Sequence, residues 1–597
     1  MFKQIGTNQA LLREELHHPA YHWPETLLRL PWAGAGDFAS AADQTGKQYP
    51  VQKDRQGNVC LVTTLGAGAE KTFVFSGIPV DSGLRFSEQN GCIRVENANL
   101  AFCVYAEGEV LFALEKENVC LTAKLDGQRE RNITVLERGG VFVEIQARIT
   151  LMDSTVCQYT FRLHEKSEFV DFYEEYNQTS AAVLRIEFDN PGTDIRFTPD
   201  RGREKIDQYL QAGDEIPFMI LPYEAPVGWY QTKCAAFGST QNGLCAGIFI
   251  RDGGLWQDYK YALWSSDDEF AVRFRYAGCF AEAVFPVVKS TRYTALAVFS
   301  GPPEYVETLY TWHCFYDLNK VKDWVLEWDE EQGRFPVFFS KADFRENTVE
   351  KEFVQQDAFF RLLAEFRNLR EPEYFDPVCN REMFTIFPVF DALAEEMSPV
   401  DFERCRRYIA FLAYSAKDEN FMPIENMLAG HPNFLMDGKI PVGIFGAYFP
   451  NHPMSAEFIA YTQRAITLNF KYHTRPDVPA WDAYGGRWTE NLGCYTFAML
   501  APLVKGAALI GDDIMLNPYT VRFAEWLLGT LSAPVDGRRS YPPQGAHAGG
   551  HLKNPFYPVY HIRLLACILE DYAPQTARQL YAVCGNDAPE WHYPDGT

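Results

Sequence analysis

The densest set of chemistry-bearing side chains runs Trp481-Asp482-Ala483-Tyr484-Gly485-Gly486-Arg487-Trp488-Thr489-Glu490-Asn491. Two Trp, one Tyr, one Arg and two acids fall within 11 residues, around a Gly-Gly turn. Aromatic faces give sugar rings a stacking surface, and a carboxylic acid can protonate a leaving glycosidic oxygen. Glu490 is the expected acid. Glu425 is the first choice of carboxylate partner and Asp482 the second. Trp481, Trp488 and Arg487 are then substrate-binding residues. The plainer reading has Glu490 favouring the N-terminus of a helix expected from Asn491, with the tryptophans filling a core. The concentration of polar and aromatic types favours the functional one.

Two more clusters accompany it. One holds Glu425-Asn426, His431-Pro432-Asn433, Asp437 and Asn451-His452-Pro453; the other holds Tyr541-Pro542-Pro543-Gln544-Gly545, His547 and His551. Six of the 12 His lie between residues 431 and 561, near these clusters. His547 and His551 have the spacing of one helix face, but Gly549-Gly550 disfavours that helix and no HExxH occurs, so no metal is expected. No GxGxxG after a strand, GxxxxGK[ST] loop or GxSxG elbow occurs, so no cofactor is expected and the nucleotide and serine-hydrolase readings lack support.

A second chemistry remains open. Removing a proton beside a uronate carboxylate needs a Tyr or His base and neutralising groups, and Asn451, His452, Tyr484, Arg487, Tyr495, His547 and His551 supply both. His452 and Tyr484 are the candidate bases of such a lyase. A non-catalytic sugar-binding protein is the third reading, since it needs rings and hydrogen bonds but no paired acid.

The elements that must position these residues differ between the two halves. At 597 residues the chain exceeds a single core, so at least two domains are expected. Residues 58–310 carry short apolar or alternating runs, among them 73–75, 100–105, 141–145, 170–173 and 244–250, punctuated by Gly, Asn and Asp. That texture predicts an antiparallel β-sandwich, assigned to 1–310. Residues 311–350 are read as a linker. From about 351 to 597 the apolar period is helical. Ser398-Pro399-Val400-Asp401 is a strong helix start. Further helices are expected at 353–370, 455–473 (capped by Ser455), 491–510, 519–530, 558–571 and 575–583. The stretches 419–453, 474–490 and 532–557 read as long loops that converge on one end of the helical half.

Composition narrows the partners. A net charge of -24 argues against nucleic acid and weakly against a polyanionic substrate. The 14 Cys include no CxxC pair and read as buried small hydrophobes. The N-terminus lacks an apolar export region, and no apolar run of about 18 residues occurs, so a cytoplasmic protein without a membrane span is expected. A homo-oligomer is compatible with all of this.

Asp43-Gln44-Thr45-Gly46-Lys47 before Tyr49-Pro50-Val51-Gln52, with Leu65-Gly66-Ala67-Gly68 before Lys71-Thr72-Phe73, resembles the accessory β-sandwiches of large glycoside hydrolases, α-mannosidases among them. A sandwich followed by helices with aromatic, acid-bearing loops resembles the carbohydrate-active enzymes with a C-terminal (α/α) toroid, of glycoside hydrolase or polysaccharide lyase type. The resemblance implies an oligosaccharide or glycoside substrate and carboxylate acid–base catalysis. Two features depart from it: the helical half is short for six helix pairs, and only about eight helices are legible.

Overall fold

The structure is a computed structural model and describes residues 1–34, 36–190, 195–197, 215–220, 231–253, 272–277, 280–330, 383–418, 424, 432–473, 506, 510–530 and 559–584. The described residues through Trp324 form one compact unit, and those from Val325 onward form a second.

Strands in the first unit begin well before residue 58, at Phe2–Gln4, Gln9–Arg13 and Trp23–Leu30. A five-stranded and a three-stranded sheet are built from residues 2–76. Their turns follow a repeated rule. The Asp43 carboxylate accepts from the Thr45 and Lys47 amides while Gly46 takes φ +85, and Asp54 accepts from Gln56 and Asn58 while Gly57 takes φ +86. Both turns need a short acceptor side chain and a residue free to enter the left-handed region.

Residues 85–300 form a ten-stranded and an eight-stranded sheet, antiparallel except where Glu215–Ile220 pairs with Gln231–Thr232. Alternation decides their faces. In Val156–His164, Cys157, Tyr159, Phe161 and Leu163 are buried, while Gln158, Thr160 and Arg162 turn the other way. Phe161 stacks on Phe172 of the same sheet at 5.3 Å and meets Phe102 and Phe112 of the ten-stranded sheet at 5.0 and 4.9 Å. This aromatic seam is the inter-sheet core. The unit ends in the short helices Tyr305–Tyr310 and Leu318–Val321. Trp312, Phe315 and Tyr316, which the sequence reading places in a linker, are buried in this unit.

The second unit is helical among its described residues. Pro399–Lys417 starts where expected, with the Ser398 hydroxyl accepting from the Asp401 amide. Ser455–His473, Pro518–Thr530, Val559–Ile568 and Pro574–Cys584 match the helical periods closely. Pro432–Tyr448 corrects the reading of 419–453 as one loop. Its Pro441 and three glycines hide the helix from propensity, yet two of those glycines let it pack tightly. A Cβ on Gly443 would lie 2.8 Å from the Thr462 side chain, and one on Gly446 would lie 2.5 Å from the Ser455 carbonyl. The result is an antiparallel pairing of Pro432–Tyr448 with Ser455–His473. The 353–370 helix and most of the 491–510 helix fall outside the described residues. What the fold establishes is antiparallel sheets followed by helices; no closed ring is described.

Candidate functional site

Of the residues singled out by sequence, Glu490, Glu425, Asp482, Tyr484, Trp481, Arg487, Trp488, Tyr495, His547 and His551 lie outside the described residues. Asn451 and His452 are described. They sit on the turn closing the hairpin of Pro432–Tyr448 and Ser455–His473, at the opposite end from the point where the chain leaves His473.

Asn451 is exposed, but His452 is only 2 % exposed. Its Nδ1 accepts from the Met454 amide at 3.1 Å, so the proton sits on Nε2, 2.9 Å from the Val325 carbonyl. The ring packs against Phe458, Trp328 and Phe445. Burial pushes its pKa down. Both nitrogens are committed to the backbone, so in this structure His452 fixes the start of a helix rather than presenting a base. Ser455, expected as the cap, instead donates its hydroxyl to the Gly446 carbonyl at 2.6 Å.

The first unit holds a polar cleft that sequence reasoning missed. Arg29, Asp54, Arg55, Gln56, Glu137, Glu144 and Arg162 line a space of about 360 Å³. Register explains the floor. Glu137 faces Glu144, Glu144 faces Arg162 and Arg162 faces Asp171 on successive antiparallel strands, so four charged residues form one row across the eight-stranded sheet. The Asp54–Gly57 turn delivers Arg55 to this row. Arg55 Nε is 2.9 Å from Glu137, and its Nη2 makes a short bond to Glu144. Arg162 Nε donates to the other Glu144 oxygen at 3.0 Å.

The row continues inward. Arg162 lies 3.7 Å from Asp171, Arg251 Nε donates to Asp171 at 2.6 Å, and Arg251 Nη1 reaches Asp317 at 3.1 Å. Asp317 caps Leu318–Val321 through the Asn319 amide. Asn319 in turn accepts from the Arg29 amide and donates to the Leu27 carbonyl, fixing the strand that carries Arg29. Alternation of sign is what makes this burial tolerable, because a buried charge without a partner is strongly unfavourable. Burial works against the Asp171 carboxylate, but Arg251 and Arg162 outweigh it and hold its pKa below the usual range. Neighbouring His164 and His313 are pushed down by burial, to about 4 and about 3.

Each Glu144 oxygen already accepts from an arginine, so the cleft is built for holding polar groups rather than passing protons. The sequence signal was faint: a second Asp-x-x-Gly turn, and charges at outward strand positions that resemble ordinary solvated faces. Among the described residues no His, Cys, Asp and Glu group has metal-binding geometry, and no helix is long and apolar enough to cross a membrane.

Comparison with known protein families and with curated proteins finds no match. Among solved structures, the chain is similar to a glycosyl hydrolase family 38 protein from Enterococcus faecalis, with a TM-score of 0.30 and 11% identity over 51% of this chain and 46% of that one. It is similar to an α-mannosidase from Enterococcus faecalis V583, with a TM-score of 0.29 and 10% identity over 51% and 44%. A TPR-domain containing protein from Parabacteroides distasonis gives 0.25 and 9% over 96% and 92%. The chain thus spans less than half the length of the two Enterococcus proteins. Likenesses this slight carry no argument about activity.

Proposed function

We propose that this chain is a glycoside hydrolase acting on an oligosaccharide or glycoside, with Glu490 as general acid and Glu425 or Asp482 as its carboxylate partner. One observation carries the reading: the concentration of Trp481, Asp482, Tyr484, Arg487, Trp488 and Glu490 within ten residues of sequence, C-terminal to the helix Ser455–His473. In this reading the tryptophans stack on sugar rings, Arg487 hydrogen-bonds hydroxyls, and Glu490 protonates the leaving oxygen while its partner activates water or attacks the anomeric carbon.

The helical half is read as an (α/α) toroid. Two helix hairpins support that part of the proposal. Pro432–Tyr448 packs on Ser455–His473, and Val559–Ile568 packs on Pro574–Cys584. The elimination alternative is weakened by His452, whose ring nitrogens both serve the backbone.

Turnover of an oligosaccharide panel by the full chain tests the class. Release of reducing ends without new ultraviolet absorbance supports hydrolysis. An unsaturated uronate product identifies a lyase, and binding without turnover identifies a sugar-binding protein.

A further inference from the structure

We propose that the cleft between the 54–57 turn and the charged row of the eight-stranded sheet is a binding site for a neutral polyhydroxyl ligand, of the saccharide or sugar-like polyol class. The site lies entirely within the first unit and does not depend on the hydrolase reading of the helical half.

Size comes first. A space of about 360 Å³ falls within the range of about 300–1,000 Å³ found for small-ligand pockets. It is preformed, because the strand Trp23–Leu30, the Asp54–Gly57 turn and the sheet are each pinned independently by the bonds described above.

Charge comes second. The lining holds three guanidiniums, Arg29, Arg55 and Arg162, and three carboxylates, Asp54, Glu137 and Glu144. They cancel, so the cleft has no net attraction for an anion or a cation. Most of these charges are already matched: Glu144 by two arginines, Glu137 by Arg55, and Asp54 by the amides of its own turn. An ammonium would have to break existing pairs, and a carboxylate could pair only with Arg29, leaving the acceptors of the lining unused.

Unused hydrogen-bonding capacity comes third. Among the described residues the Arg29 guanidinium makes no hydrogen bond or ion pair. The Arg55 Nη1 and Gln56 Nε2 groups are likewise unused donors, and Glu137 Oε2 is an unused acceptor, since Oε1 takes both Arg55 bonds. Donors and acceptors therefore face the same small volume. A hydroxyl both donates and accepts, so a ring of hydroxyls matches this mixture, whereas a purely anionic group does not. No aromatic or aliphatic side chain lines the cleft, which argues against an apolar ligand.

Saturation-transfer NMR on the full chain tests the proposal, using neutral methyl pyranosides of gluco, galacto and manno configuration. Glucuronate, glucosamine and glycine serve as charged and zwitterionic competitors. The measurement is made in a Trp481→Ala/Trp488→Ala background, which disables the proposed hydrolase site. Saturable binding of at least one neutral pyranoside is expected to persist there. Arg29→Met should weaken it at least about tenfold, the loss expected for a hydrogen bond to a charged group. Gln56→Ala, an exposed turn substitution, should weaken it several-fold without touching the core. Arg29-dependent binding with no turnover of any sugar by the wild type would refute the hydrolase reading and leave this inference standing. The inference is overturned if no neutral pyranoside binds in that background, if binding is indifferent to both substitutions, or if a charged or zwitterionic competitor binds in preference.

Discussion

Arg292 and Glu174 form an ion pair with no exposed surface on either side chain, inside the large sandwich. They face one another on adjacent strands. Arg292 Nε and Nη2 reach the two Glu174 oxygens at 3.1 and 3.0 Å, and Nη2 also donates to the Pro286 carbonyl at 2.8 Å. The Tyr176 hydroxyl makes a short bond to the same carboxylate. Arg292→Met keeps most of the bulk and removes the cation, stranding the Glu174 carboxylate in an aromatic core, while the Pro286 carbonyl keeps its bond from the Val288 amide at 3.1 Å. Breaking a buried pair from one side costs about 3–5 kcal/mol. At about 2–4 °C per kcal/mol for a unit of this size, the unfolding midpoint should fall by roughly 6–20 °C. Adding Glu174→Gln removes the stranded charge while leaving an acceptor for Tyr176, and the double variant should regain more than half of the loss. Thermal unfolding followed by circular dichroism across the four-member cycle measures both quantities. A single variant that loses less than about 1 kcal/mol, or a double variant no more stable than the single one, would show that the pair is not a stability determinant.

The sandwich should also be acid-sensitive. His164 and His313 are neutral when buried, with folded pKa values near 4 and 3 against an ordinary value of about 6.5, so the unfolded chain binds more protons across that interval. Stability is then full above about pH 6.5 and falls as the pH drops toward 4, by up to about 3 kcal/mol for His164 alone; a urea midpoint that falls equally between pH 7 and 4.5 in wild type and His164→Gln contradicts this. In the helical hairpin, Gly446→Ala places a Cβ 2.5 Å from the Ser455 carbonyl and should destabilise by about 1–3 kcal/mol. Gly529→Ala, in the open on another helix, should be neutral or stabilising by up to about 1 kcal/mol, and equal midpoints for the two variants would refute the packing argument.

Much of the fold was legible because its elements follow single local rules. Ser398 and Pro399 announce a helix through capping and a preset φ, and Ser455–His473 carries a clean helical period. Leu244–Ile250 is a continuous apolar run that lies between two neighbours of a sheet, buried along its whole length. Pro432–Tyr448 was illegible because glycines chosen for close helix contact read locally as loop residues. The charged cleft was illegible for another reason. Glu144, Arg162 and Asp171 are far apart in sequence and meet only through strand register, and alternating charge on a strand ordinarily means solvent. His452 shows the converse, a histidine in a polar cluster whose ring is used up by the Met454 amide and the Val325 carbonyl.

In the proposed hydrolase, a carboxylic acid at position 490 transfers a proton to a glycosidic oxygen. Glu490→Gln preserves shape and removes only that proton, so it separates catalysis from binding and folding. Turnover of the oligosaccharide panel should be measured for both proteins, with ligand binding and thermal unfolding as controls. Reducing-end release by the wild type and a loss of at least about a hundredfold in the variant are expected, with binding and unfolding retained. Near-normal turnover by Glu490→Gln would contradict that proton transfer and return Glu490 to the role of a residue that favours the start of a helix.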